Sequence, residues 1–135
     1  MKKICLLVIV ILLLGGLATA KTPVTPITNN DLPDLKGEWT GDRLGKMGNL
    51  RTDVTIYNDM LPLRGVITLY MLKGNSKTID FNNGRIEDGR LIIYREDIGL
   101  KLDLSLRKGD DQMKLEGDML FQGYDVSVFL KKVKE

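Results

Sequence analysis

The chain has 135 residues, of which 28% are charged, with 20 basic and 18 acidic side chains, one cysteine and no histidine. The basic excess lies in Lys2 and Lys3, so the rest of the chain is neutral and a nucleic-acid-binding face is not predicted. With no histidine and Cys5 as the only cysteine, Cys/His zinc sites and Ser-His-Asp or Cys-His nucleophile systems are excluded.

The first 20 residues have the features of a secretory signal peptide. Lys2 and Lys3 precede an uncharged, mostly apolar stretch, and Ala18-Thr19-Ala20 supplies small residues where a signal peptidase cuts. We predict cleavage between Ala20 and Lys21, giving a secreted or periplasmic protein. The alternative is a membrane anchor by an uncleaved signal, although the uncharged stretch is shorter than the ~20 residues that a spanning helix needs.

Residues 21–34 are predicted to form a tether rich in proline and threonine. Pro23, Pro26 and Pro33 lie among polar residues and interfere with both sheet pairing and helix continuation. A single folded domain without disulfides then spans residues 35–135.

From Leu35 onward, the apolar residues recur at every second position, as Leu100, Leu102 and Leu104 illustrate. This period is typical of strands with one apolar and one polar face, and turn-forming residues separate the repeats. Asn83-Gly84 lies within one repeat and is interpreted as a bulge rather than an additional turn. Eight strands are predicted, near residues 37–43, 51–58, 64–73, 77–87, 90–96, 99–107, 112–121 and 124–133.

Eight strands joined by short turns predict an all-β antiparallel meander that closes into an up-and-down barrel. Closure buries the apolar face and removes both sheet edges. An open sandwich is the alternative, and pairing between the first and last strands distinguishes the two folds.

The first predicted strand contains Gly37-Glu38-Trp39. A Gly-x-Trp in the first strand of a short β-meander resembles the lipocalins and the wider calycin group. The resemblance implies that Trp39 closes one end of the barrel, that Gly37 lets the chain pack beside it, and that a cup for a small apolar molecule exists. In place of the arginine that lipocalins stack on this tryptophan, Lys131 or Lys132 is expected to make the cation–π contact.

Trp39 itself has two interpretations. A lone tryptophan in a small β domain usually anchors the core because it buries a large area. The alternative is direct contact with a ligand. We therefore assign Gly37 and Trp39 structural roles.

No catalytic, metal or cofactor site is predicted. The segment 41–47 has the wrong spacing for a phosphate-binding loop. The carboxylates fall mainly at turns or on the polar faces of strands, and Asp110-Asp111 does not match a calcium loop. These carboxylates are Asp80, Glu87, Asp88, Glu96, Asp97, Asp110 and Asp111.

The leading functional hypothesis is a non-enzymatic binding protein that holds a small apolar or amphipathic ligand inside the barrel. An eight-stranded barrel is either just filled by side chains or holds one small ligand. The residues expected to line the cavity share the inward apolar faces of their strands. They are Ile56, Leu69, Met71, Leu102, Leu104, Met113, Leu115, Val126 and Val128.

The alternative is a filled barrel whose outer face binds another protein or an envelope component. The strand around residues 66–72 is apolar on both faces, so Val66, Tyr70 and Leu72 could form an exposed patch. Self-association through this strand is the simplest form of the hypothesis.

Overall fold

The computed structural model describes residues 23–46, 48–109 and 111–133 of the chain. The predicted signal peptide, with its cleavage site, lies outside these residues, as do Met47 and Asp110. No helix among the described residues is long and apolar enough to cross a membrane.

Nine strands, one short α-helix and three 3₁₀ turns make up the secondary structure of the described residues. The strands are β1 (Val24–Thr25), β2 (Gly37–Gly45), β3 (Gly48–Ile56), β4 (Leu63–Tyr70), β5 (Ser76–Glu87), β6 (Arg90–Arg95), β7 (Leu100–Lys108), β8 (Met113–Phe121) and β9 (Tyr124–Lys132). Helix α1 (Leu32–Leu35) follows a 3₁₀ turn at Asn29–Asp31, and further 3₁₀ turns lie at Leu72–Gly74 and Glu96–Ile98. Each of the eight predicted strands corresponds to one strand from β2 to β9.

Strands β2 to β9 form a closed antiparallel barrel. Each strand pairs with the next along the chain, and β9 pairs with β2, as in Gly41 opposite Leu130. The closed barrel is therefore confirmed against the open sandwich. The predicted bulge is also confirmed, because Leu63 pairs with Gly84 whereas Gly65 pairs with Phe81, which leaves one extra residue in β5.

The sheet is incomplete between β5 and β6. Only three residue pairs join these strands, from Arg85 opposite Ile92 to Glu87 opposite Arg90. Farther along, side chains span the separation, since the Arg95 guanidinium donates to the Asp80 carbonyl at 2.5 Å. The Asn83 amide oxygen accepts a long hydrogen bond of 3.4 Å from the Tyr94 backbone N–H.

Residues 24–35 pack against the barrel, which was not expected of a tether. Val24 and Thr25 pair with Arg107 and Leu106 of β7, despite the neighbouring prolines. The pairing is tolerated because it involves only the two residues between Pro23 and Pro26. After it, Ile27, Leu32 and Leu35 are buried in the same apolar cluster as the barrel interior.

The barrel therefore has two dissimilar ends. The tryptophan end, formed by the first residues of β2 and β4 and the last of β3 and β9, is covered by residues 27–35. Trp39 is 1% exposed there, and its indole Nε1 donates to the Leu35 carbonyl oxygen at 2.9 Å. The arginine end, where β2 runs into β3 and β8 into β9, contains the buried Arg43.

The interior between the two ends is filled by apolar side chains. Strand parity directs Leu, Ile, Val, Phe and Met side chains inward from β3 to β9, and most are 0–4% exposed. They form one continuous cluster with Trp39 and the covering segment. An eight-stranded barrel is small enough to be filled in this way.

Candidate functional site

The nine residues predicted to line a cavity do not surround a common space. Six are 0–1% exposed members of the packed core: Ile56, Leu69, Leu102, Leu104, Leu115 and Val128. The other three, Met71, Met113 and Val126, are partly buried and pack against the edge of the core. Met113 lies at the tryptophan end, whereas Met71 and Val126 lie at the arginine end.

An open pocket of about 690 Å³, here called the rim pocket, lies at the tryptophan end. Two predicted lining residues, Ile56 and Met113, border it, as does Gly37, but Ile56 is 1% exposed, so only Met113 contributes apolar side-chain surface. The pocket is lined by Pro33, Lys36, Gly37, Ile56, Tyr57, Asp111, Gln112, Met113, Lys132 and Val133. Apolar side chains, basic side chains and an acidic side chain therefore share one concave surface.

Lys132 connects the rim pocket to the tryptophan. Its Nζ lies 5.6 Å from the centroid of the Trp39 ring and donates to the Asp34 carbonyl oxygen. Its own carbonyl accepts a hydrogen bond of 3.1 Å from Gln112. The predicted cation–π contact is thus confirmed for Lys132. Trp39 is too deeply buried to belong to the pocket surface.

Gly37 has a conformational reason to be glycine. Its φ is 128°, a region that residues with a Cβ rarely adopt. This backbone conformation begins β2 immediately after α1, and Trp39 follows two residues later.

An apolar loop lies next to the rim pocket. Tyr57, Met60 and Leu61 are 57%, 70% and 45% exposed, and Tyr57 also lines the pocket. Asn58 organises the loop, since its side-chain amide donates to the Met60 and Pro62 carbonyls and its oxygen accepts from the Arg64 N–H. The sequence predicted a turn here but not the exposed apolar tip. Two adjacent apolar residues in this turn, Met60 and Leu61, could have indicated the exposed apolar tip.

A second open pocket of about 480 Å³ lies at the incomplete pairing between β5 and β6. Asn83, Arg85, Tyr94, Arg95, Glu96 and Asp97 line it. Arg95 forms ion pairs with Asp97 at 2.7 Å and Asp80 at 3.1 Å. The hydrogen bond from Arg95 is the main cause that lowers the pKa of Asp97, and the same bond raises the pKa of Arg95. The charges of Arg95, Asp80 and Asp97 therefore compensate one another.

The predicted patch at Val66, Tyr70 and Leu72 is interrupted by polar contacts. The Tyr70 hydroxyl donates to Asp53 at 3.1 Å, and the Arg51 guanidinium lies 4.9 Å from the ring centroid. Leu72 is exposed, but Val66 and Tyr70 are only partly so. The three residues therefore do not form a continuous apolar surface.

The carboxylates named from the sequence do not converge. Within the described residues, no three His, Cys, Asp or Glu side chains are grouped so as to hold a metal ion. Asp80 and Asp97 bind Arg95, and Glu87 forms an exposed ion pair with Arg85 at 2.8 Å. Asp88 occupies the β5–β6 turn with φ 50°, and Glu96 and Asp111 are exposed.

Arg43 is a buried charge that the sequence analysis did not single out. It is 6% exposed, and its guanidinium donates only to neutral groups. Nη1 donates to the Arg51 carbonyl at 2.8 Å and the Thr52 hydroxyl at 2.9 Å, while Nη2 donates to the Tyr70 carbonyl at 2.7 Å and lies 3.4 Å from the Met71 sulfur. Burial lowers its pKa. Strand parity could have identified it, because Arg43 shares the inward face of Trp39.

No known protein family, curated protein or solved structure matches this chain.

Proposed function

We propose that the chain is an exported, non-catalytic binding protein that holds a small amphipathic molecule in the rim pocket. The observation that carries this proposal is the combination of a filled interior with an open concave surface at the tryptophan end. Ligand sites are typically concave and largely apolar, with a few polar groups that orient the ligand. Tyr57, Met113 and Val133 supply the apolar part here, and Gln112 and Lys132 the polar part.

The proposal moves the ligand from the barrel interior, as expected from the sequence, to its rim. Leu102, Leu104 and Leu115 are 0% exposed, so an interior ligand would have to displace core side chains. Emptying or repacking a core costs several kcal/mol per large side chain. A rim ligand needs no such displacement.

A lipocalin-like relationship is part of the same proposal. Gly37 with a positive φ, the buried Trp39 and the cation of Lys132 support it. Export rests on the sequence pattern of residues 1–20.

Native mass spectrometry of residues 21–135, purified without detergent, tests the proposal. We expect an additional mass that disappears on denaturation. Tyr57→Ser should reduce its occupancy, because Tyr57 lines the pocket and is 57% exposed. Tyr124→Ser is the matched control, since Tyr124 is 72% exposed and begins β9 at the opposite end of the barrel. Bare protein, or equal losses in both variants, would contradict the rim pocket.

Self-association is the second candidate function, and the apolar loop at Tyr57, Met60 and Leu61 favours it. Exposed apolar groups held in a fixed loop are typical of interaction sites. Sedimentation of the wild type should then depend on concentration, and Met60→Lys should abolish this dependence. A wild type that stays monomeric throughout the concentration range would argue against association.

A further inference from the structure

The arginine end of the barrel presents two cations at one opening. Arg43 and Lys77 both occupy inward positions of their strands, since Lys77 shares the strand face of Ile79 and Phe81. The strand register places Lys77 in the row just before Arg43. Gly41 pairs with Thr52, Thr52 with Leu69, and Leu69 with Lys77, and Arg43 is the next inward residue of β2 toward the arginine end.

Lys77 extends toward the far side of this opening. Its Nζ lies 5.3 Å from the ring centroid of Phe121, on β8, although Lys77 belongs to β5. Phe121 packs at the edge of the core, as do Met71, Ile98 and Val126. The opening therefore combines two cations with a rim of partly exposed apolar side chains.

The nearby carboxylates do not neutralise these cations. Asp42 and Asp53 lie on the outward faces of β2 and β3, and Asp53 is bound by Thr40, Arg51 and Tyr70. Asp97, in the 3₁₀ turn after β6, is held by Arg95. Among the described residues, no carboxylate lies within ion-pair distance of Arg43.

A buried cation without an anion is costly, because neutral acceptors replace hydration only in part. The backbone carbonyls of Arg51 and Tyr70 could be satisfied by a neutral donor, so they do not explain the positive charge. The weakest of the four contacts to Arg43 is the one from Nη2 to the Met71 thioether. Methionine side chains change rotamer easily, so this position can be vacated for a stronger acceptor.

We propose that the arginine end is a second binding site, for an amphipathic anion with a single carboxylate. The carboxylate oxygen replaces the Met71 sulfur on Nη2 of Arg43, and Lys77 adds a second positive charge at the entrance. The apolar tail lies across Met71, Phe121 and Val126. This site is independent of the rim pocket, which lies at the opposite end of the barrel.

Decanoate, below its micelle concentration, is the probe that tests the site by isothermal titration calorimetry. The wild type should bind decanoate, and decyltrimethylammonium, which has the same tail and the opposite charge, should not bind at this end. Arg43→Met should weaken decanoate binding at least about tenfold, since a hydrogen bond between charged groups is lost. Lys77→Gln should weaken it about threefold, as expected of a more exposed charge.

Controls separate this site from the rim pocket and from misfolding. Decanoate affinity that falls in Tyr57→Ser but not in Lys77→Glu would place the probe in the rim pocket and overturn the proposal, and circular dichroism reports whether each variant is folded. If Arg43→Met does not fold, Lys77→Glu decides, because reversing an exposed charge should weaken binding about tenfold without removing a core contact. The proposal would be overturned if the wild type did not bind decanoate, or if it bound the cationic probe equally well. It would also be overturned if Lys77→Glu and folded Arg43→Met kept the wild-type affinity for decanoate.

Discussion

Lys132, near the end of the last strand, lies over the ring of Trp39 in the first barrel strand, with 5.6 Å between Nζ and the ring centroid. Trp39 itself pairs with Lys132 across the strands that close the barrel. The contact therefore stabilises the closure of the sheet and covers one face of the indole.

Replacement of Trp39 by phenylalanine should lower the free energy of unfolding by about 2 kcal/mol. The variant retains most of the apolar burial but leaves the Leu35 carbonyl without its buried donor. Lys132→Met, which keeps an apolar stem over the ring, should cost about 1 kcal/mol. Urea unfolding followed by far-ultraviolet circular dichroism measures the stability of both variants. Tryptophan fluorescence is not suitable, because Trp39 is the only tryptophan and is itself replaced. Equal losses would show that the indole N–H contributes little.

The ion pair between Asp31 and Lys108 should make stability depend on pH in acid. The hydrogen bond from Lys108 is the main cause that lowers the pKa of Asp31 from its ordinary value of 3.8. The unfolded chain then binds a proton more readily, so the stabilisation is present above pH 3.8 and is lost as the pH falls through the lower, folded-state value.

Thermal unfolding of wild type and Asp31→Asn at several pH values checks this. The difference between the two proteins should be largest near neutral pH and should shrink below pH 3.8. Asp34→Asn is the control, because its carboxylate lies 3.4 Å from Lys108 but is far more exposed. A difference that persists unchanged into acid would rule out the ion pair as its cause.

Gly41→Ala should destabilise the barrel by about 3 kcal/mol or more, because no side-chain rearrangement can relieve the clash. A Cβ at this position would lie 1.8 Å from the backbone oxygen of Phe129 in the closing strand. At Gly45 the nearest atom, at 2.9 Å, belongs to the Val126 side chain, which can move. Gly45→Ala should therefore cost about 1 kcal/mol or less. Chemical denaturation of the pair measures the difference, and similar losses would contradict the backbone clash.

Arg95 should protect the incompletely paired part of β6 from local opening. Its guanidinium bridges to the Asp80 carbonyl where the backbone ladder between β5 and β6 has ended. Arg95→Gln should accelerate hydrogen exchange at the Tyr94 amide by at least about tenfold, with a small effect on global stability. Arg90→Gln is the matched control, since Arg90 lies in the paired part of β6 and forms its ion pair with Asp103 of β7. Equal exchange rates in the two variants would show that Arg95 does not hold the strands together.

The strands were predictable because a half-buried sheet imposes a period of two on the sequence. Leu100 to Leu106 alternates with polar residues, and these leucines all point into the barrel. The pairing of Val24-Thr25 with β7 was not predictable, because two residues carry no periodicity and the flanking prolines indicate the opposite.

The sequence could not show that the interior is filled, since hollow and filled barrels have the same alternation of apolar and polar residues. Packing depends on how far each side chain reaches across the barrel, as when Phe81 and Leu104 both become buried in one cluster. By contrast, the inward position of Arg43 could be derived from the sequence. Arg43 lies an even number of residues after the core residue Trp39 in the same strand, so both side chains point to the same face.

Residues 27–35 cover the tryptophan end, and the last described residue reaches the same place, because Val133 lines the rim pocket. A fluorophore attached at Val133 would therefore crowd the rim pocket and leave the exposed Lys77 at the arginine end facing the solution. A sensor surface that captures the protein through Val133 would favour ligands of the arginine end and under-report those of the rim. Reporters for the rim pocket are better placed in the β8–β9 turn, beside the exposed Tyr124.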